Sequence, residues 1–380
     1  MNGLVSNPFH FGALALDEAF TDREQERAEL TSDIRTGQDV VVIARRRLGT
    51  SSLAWSAAQA VAAEGVLVAQ VDLMTTPTKE RLAAALAGSI FEQIASTLER
   101  VKEAALAPFR GLQIQPTVTV DPGDGSYSFS FAANERPEDI DATLERLFRL
   151  PGELAAARGR RAALVMDEFQ QVVDIDPLLP NVMRAVFQQQ PEVAHVYLGS
   201  KRHVMDRLFN DQNEPFWRSA KTVELGAIDP VAFAPFLVDR FDVTGKSIAP
   251  DAVAAVLDRT EGHPYATQQL GYFLWERTAV GEEASEEAVE QALGDVLRSE
   301  HTHFVLLWES SSTHQKLVME ALAREAGRPF KAEYRRQHGL GQATNVQRAL
   351  GTLEQREIVI GNEGAYRLGE PFLAEWLNAR

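Results

Sequence analysis

Three short stretches carry residue types and spacings that suit chemistry on a phosphate. The first, "VVVIARRRLGTSS" (Val40 to Ser52), runs from apolar residues into a loop with the length of G-x-x-x-x-G-K-[ST]. In such a loop backbone N–H groups curl around phosphates at a helix N-terminus, the lysine reaches the outer phosphates, and the Ser/Thr hydroxyl holds magnesium. Gly49 and Ser51 occupy the second-glycine and hydroxyl positions, but Ala44 stands at the first glycine and Thr50 at the lysine. The second stretch, "AALVMDEFQ", puts Asp167 and Glu168 after an apolar run. One carboxylate placed there could act on magnesium through Ser51, and the next could orient or deprotonate a water. The third, "VAHVYLGSKR", ends in Ser200, Lys201 and Arg202, and ligands of open α/β sheets bind at the carboxyl ends of the strands. Each stretch also has a plain reading: a tight strand-to-helix turn, a solvated strand end, a polar loop.

The elements that must position these groups are legible as patterns. Apolar runs at Val40–Ile43, Val66–Val71, Ala162–Met166, Val193–Leu198 and around Val223 alternate with alanine- and leucine-rich helical stretches as far as about Leu225. That alternation predicts an α/β domain with a mostly parallel sheet. Between the second and third runs, "LQIQPTVTVDPGDGSYSFSF" reads as two strands about Asp121–Gly125, a β-hairpin inserted near residues 112–132. After Asp229 the pattern is helical, predicting a lid over residues 229–300. The last part, 301–380, reads as three helices and then "EIVIGNEGAYRL", two strands about an Asn-Glu-Gly turn, the order of a winged helix-turn-helix. The predicted division is therefore a core over 1–228, a helical lid and a winged helix domain.

Composition sets limits on partners. A chain of 380 residues is long for one core. It has no cysteine, no apolar run of membrane-spanning length, and a start, "MNGLVSNPFHFG", without the pattern of a signal peptide. The expectation is a cytoplasmic protein with no membrane association. Thirty-eight Lys and Arg against 54 Asp and Glu give a net charge of -16, which disfavours non-specific binding to nucleic acid.

The order of motifs resembles prokaryotic P-loop ATPases of the AAA+/STAND type, in the archaeal-bacterial branch related to origin-recognition ATPases. The resemblance is carried by "NPFHFG", "FTDREQE", "ARRRLGTSSL", "VMDEFQ", "YLGSKRHVMDRLF", "PFWRSA", "TEGHPYATQQLGYFLW" and "AYRLGEPFLAEWL", spread over almost the whole chain. It implies a parallel-sheet P-loop NTPase core, ATP or ADP with Mg2+ as ligands, and hydrolysis of ATP to ADP and phosphate. It implies that Phe20 and Arg23 lie beside the adenine, and that Gly49, Thr50, Ser51 and Ser52 wrap the phosphates, with Arg47 in the same loop. Asp167 and Ser51 would hold the metal, Glu168 the water, and Ser200 would be a polar sensor. Gly262, His263 and Pro264 would close over the nucleotide, with helix capping as the alternative for His263. Arg218 is a candidate reader of the terminal phosphate, with a surface salt bridge as its alternative.

Thr50 is the departure from that family. The missing lysine is a preorganised charge against phosphate oxygens, and its loss costs on the order of 2 to 4 kcal/mol of transition-state stabilisation, roughly a hundredfold to a thousandfold in rate. Binding can persist through backbone amides, the helix N-terminus and magnesium. The sequence thus leaves two functions: a nucleotide-dependent switch with hydrolysis weak or lost, or a non-hydrolysing regulatory or DNA-associated scaffold that uses its winged helix for interaction. Partners expected are nucleotide, and a protein or a second copy through lid or winged helix. DNA is disfavoured by charge, since Arg335 and Arg336 are the one compact basic spot in that domain.

Overall fold

The computed structural model describes residues 6–12, 23–97, 109, 112, 117–120, 127–130 and 137–380. In chain order its first seven strands are β1 (Val40–Ala44), β2 (Leu67–Asp72), β3 (Thr117–Val120), β4 (Tyr127–Ser130), β5 (Ala162–Asp167), β6 (Val193–Gly199) and β7 (Lys221–Leu225). Five of them form one parallel sheet in the order β2-β5-β6-β1-β7. Every residue of β1 and β6 is buried, as expected for strands covered on both faces, and this explains why they read as unbroken apolar runs. β3 and β4 pair antiparallel, Thr117 opposite Ser130, as the predicted hairpin. Its turn, Asp121–Gly125, lies outside the described residues.

Contacts divide the chain into two units where the sequence reading has three regions. The sheet unit holds Arg23–Arg46 and Thr50–Leu225; the helical unit takes, of its described residues, 6–12, Arg47–Gly49 and Gly226–Arg380. Helix Thr50–Ala63 follows β1, and its Ala57, Ala58 and Val61 are fully buried, small enough for close packing in the sheet unit.

In the helical unit the lid helices and the winged helix share one hydrophobic cluster, running from Phe233 and Leu270 through Phe304 to Leu350 and Trp376. Helix starts are marked by side-chain caps: Asp229 accepts from Val231 N–H at 2.8 Å, and Ser312 with Gln315 forms a reciprocal capping box. The winged helix comprises helices Thr313–Arg324, Ala332–His338 and Ala343–Gln355, then strands Val359–Asn362 and Ala365–Leu368, paired antiparallel. The segment "NPFHFG" packs here: Phe9 is buried, edge-on to Phe241 at 5.6 Å, and a Cβ on Gly271 would come within 2.7 Å of its ring.

Candidate functional site

Because the five strands are parallel, β1, β2, β5 and β6 end on the same edge of the sheet, and the predicted polar groups at those ends meet there. Ser51 Oγ donates to Asp167 Oδ2 at 2.6 Å. The Glu168 N–H donates to Asp167 Oδ1 at 2.8 Å. Ser200 Oγ donates to Glu168 Oε2 at 3.2 Å. Glu168 adopts a left-handed backbone, φ +50, a conformation that costs a non-glycine residue about 1 to 3 kcal/mol and tends to persist at functional sites.

Two further residues complete this cluster. Gln170 is buried; its amide nitrogen bonds the Glu168 carboxylate and lies 3.4 Å from Ser200 Oγ. Asp72 stands opposite Asp167 in the β2–β5 register. Asp72 did carry a sequence signal, since it ends an apolar strand as Asp167 does. Gln170 sits in a 3-10 turn (Phe169–Gln171) after β5, where no periodicity marks a buried amide.

Burial, first, pushes the Asp167 carboxyl above the usual range, and the nearby Asp72 charge adds to it; the bonds from Ser51 and the Glu168 N–H oppose the rise. A buried carboxylate of this kind gains most from a nearby cation. A hydroxyl and a carboxylate are hard oxygen donors that suit Mg2+, which keeps several positions for water and phosphate oxygens. Among the described residues no group of three or more His, Cys, Asp or Glu is placed to hold a metal ion by itself.

Two residues of the loop before Ser51 have a left-handed backbone. Gly49 has φ +91, and Thr50 begins the helix. Ser52 is buried behind it. Arg47 is also left-handed, φ +64. Within the helical unit its guanidinium lies 4.3 Å from the centre of the Tyr265 ring and 3.5 Å from Glu370.

Phe20 lies outside the described residues. Arg23 is buried and pairs with Glu26 at 2.8 Å where the first helix begins. Gly262 has φ +67 with Ile228 O against it, and Pro264 is the first residue of helix Pro264–Arg277. His263 is the N-cap of that helix, its ring accepting from Ala266 N–H at 3.5 Å. This is the capping geometry. Arg218 is exposed with φ +49; its backbone N–H donates to Phe209 O at 2.9 Å, and its side chain has no ion pair among the described residues.

Comparison with known proteins agrees with this architecture. Residues 302–379 match a family profile described as a probable winged helix domain. No curated protein matches the sequence significantly. Among solved structures, the chain is similar to a Walker-type ATPase of Pyrococcus abyssi, with TM-score 0.70 and 15% identity over 98% of this chain and 99% of that one. It is also similar to the Aeropyrum pernix ORC2 protein in ADPNP–ADP complexes, TM-score 0.54 and 16% identity over 94% of this chain and 93% of that one. The Aeropyrum pernix ORC1 protein in complex with DNA matches at TM-score 0.50 and 15% identity, over 96% of this chain and 94% of that one. At such identities the likeness shows the fold alone: a five-stranded parallel sheet with flanking helices, followed by helices and a winged helix, arranged as in those ATPase and ORC structures. No described helix is long and apolar enough to cross a membrane.

Proposed function

We propose that this chain is a nucleotide-dependent switch that binds ATP or ADP with Mg2+ at the loop Gly49–Ser52, with hydrolysis slow or lost because Thr50 replaces the lysine. The observation that carries this reading is the Ser51–Asp167 hydrogen bond of 2.6 Å with Glu168 and Ser200 tied to it, an arrangement with little use in a plain strand-to-helix turn. Backbone N–H groups at the start of helix Thr50–Ala63 would cradle phosphate oxygens. Ser51 and Asp167 would hold the magnesium, which when bound neutralises charge on those oxygens. Glu168 would orient a water, its carboxylate aimed by the Gln170 amide and the Ser200 hydroxyl. Thr50 supplies a neutral hydroxyl where the reaction builds negative charge, so binding outlasts turnover. The roles of Phe20 and Arg23 at the base, of Arg47 in the loop, of His263 and Pro264 over the nucleotide, and of Arg218 at the terminal phosphate rest on the resemblance alone. That the ORC2 relative was solved with ADPNP and ADP supports asking the same of this chain.

The test is thermal unfolding with and without Mg-ATP and Mg-ADP, with phosphate release measured beside it. A switch gains roughly 2.7 kcal/mol at a ligand concentration a hundred times its Kd. No magnesium-dependent gain with either nucleotide would sink the reading.

The scaffold reading keeps one observation in its favour. Residues 301–380 carry ten Lys and Arg against nine Glu within a chain of net charge -16, and Lys331, Arg336 and Arg348 are exposed on or beside the winged-helix helices. A DNA affinity that falls steeply with salt and weakens in Arg348→Ala would favour it.

A further inference from the structure

A cavity of about 590 Å³ lies in the sheet unit beside β2, lined from helix Thr50–Ala63 on one side and helix Lys79–Thr97 on the other. β2 is an edge of the five-stranded sheet and pairs only with β5 among the described strands. Its outer side is closed in part by the second helix: Gln70 N–H donates to Ser89 Oγ at 2.7 Å, where a further strand would have supplied a carbonyl. Small residues on both helices, Ala62 and Ala85 among them, leave room between the walls. The volume falls within the roughly 300 to 1,000 Å³ of small-molecule sites.

The groups that face this space are of one electrostatic kind. Gln59, Gln70 and Ser89 carry side-chain oxygens that can accept hydrogen bonds, and Glu92 adds a carboxylate. Glu92 is exposed and forms no ion pair among the described residues. Half-buried Trp55 contributes an indole ring, and no Lys, Arg or His is among the described lining residues. An anion finds no cation here, and a purely apolar ligand would strip water from the amides and the carboxylate without replacing its hydrogen bonds. A bare divalent ion would meet a single carboxylate, short of the oxygen set it needs. An organic cation suits the whole lining: the indole face attracts positive charge within about 6 Å, and a guanidinium or ammonium donates to carboxylate and amide oxygens.

We propose that this cavity binds a small organic cation, an amine or guanidinium on a short alkyl stem. The charged head is recognised by the Trp55 ring and the Glu92 carboxylate, and the stem by the small apolar side chains. The site does not depend on the nucleotide reading: it stands on the side of the sheet at β2, and its residues are none of those assigned to phosphate or magnesium.

Butylguanidinium, butylammonium and butylurea are titrated into the full chain and followed by ligand-observed NMR; butylurea has nearly the shape of butylguanidinium without its charge. The same titrations are run on Glu92→Gln, Trp55→Leu and Glu80→Gln, with thermal unfolding to check that each variant is folded. Glu80 is exposed on the same helix as Glu92 and outside the cavity. The expected result is that at least one cation binds tenfold or more tightly than butylurea, that Glu92→Gln and Trp55→Leu each weaken it about threefold to tenfold, and that Glu80→Gln leaves it unchanged. Should Trp55→Leu fail to fold, the exposed Glu92→Gln decides alone. The site is overturned if neither cation binds, if butylurea binds as well as the cations, or if Glu92→Gln binds as tightly as the unaltered chain. An equal loss in Glu80→Gln and Glu92→Gln also overturns it, because the cation is then held by the net charge of -16 rather than by the cavity.

Discussion

At Gly49 (φ +91) an added Cβ would meet nothing within 4 Å, whereas at Gly262 (φ +67) it would sit 2.0 Å from the Ile228 carbonyl oxygen. Both glycines stand in stretches that resemble nucleotide-binding motifs, and both need a left-handed backbone. Only at Gly262 is the space taken as well, by a chain segment that also bonds it, Ile228 N–H donating to Gly262 O at 2.9 Å. The lid turn is therefore closed on its own backbone and continued by the His263 cap, while the loop turn is demanded by conformation alone. The difference separates a glycine that builds the fold from one whose purpose must be sought in what the loop does.

Gly262→Ala is expected to have the largest effect. Forcing a Cβ against a backbone carbonyl in a left-handed residue costs on the order of 3 to 5 kcal/mol, read from urea unfolding. A loss below about 1 kcal/mol would break the contrast, because it would mean that the Ile228 segment yields freely. Thr50→Lys comes next, with phosphate release rising roughly a hundredfold to a thousandfold. No rise, in a variant that still binds Mg-ATP, would leave the loop without a catalytic role. Gly49→Ala should cost about 1 to 2 kcal/mol, the backbone penalty without a steric one; a cost equal to that of Gly262→Ala would erase the distinction.

The smallest expected effect concerns Asp167, whose carboxyl is raised mainly by burial. The folded chain then holds that proton more tightly than the unfolded chain does. Its contribution to stability is full below the ordinary carboxylate value and is lost as pH rises through the folded value, so at neutral pH the ionised group detracts from stability. Asp167→Asn should raise the melting temperature at pH 7, flatten this part of the pH dependence, and diminish stabilisation by Mg-nucleotide. A lower melting temperature at pH 7 would show that the Ser51 bond outweighs the burial.

The central strands were readable because strands buried on both faces must be continuously apolar, and β1, β5 and β6 each lie within a residue or two of the predicted runs, whereas the edge strand β7, mostly exposed, showed only as a short run around Val223. The winged helix was readable for a similar reason: helix periodicity followed by an Asn-Glu-Gly turn leaves few alternatives. Ser51, Asp167, Glu168 and Ser200 could be grouped in advance because parallel strands deliver their ends to one edge. The partners of Arg47 could not be foreseen, since Tyr265 and Glu370 lie far along the chain and no local pattern encodes such a pairing. The packing of Phe9 against Phe241 escaped for the same reason, and Gln170 because burial of an amide in a short turn depends on its surroundings rather than on its own sequence.

The strand order has a consequence for how the chain is made. β1 is flanked by β6 and β7, its register running Val40 beside Val196 and Val42 beside Val223. A chain emerging from its N-terminus thus carries an apolar strand with no partner until β6 has appeared at Gly199, and with one edge still unpaired until β7 is complete at Leu225. Pairings so distant in sequence close slowly, because loop entropy is lost before the contacts compensate it. Folding of this unit should wait on synthesis of β6 and β7, and nascent chains stopped short of them should be the ones that chaperones or aggregation capture.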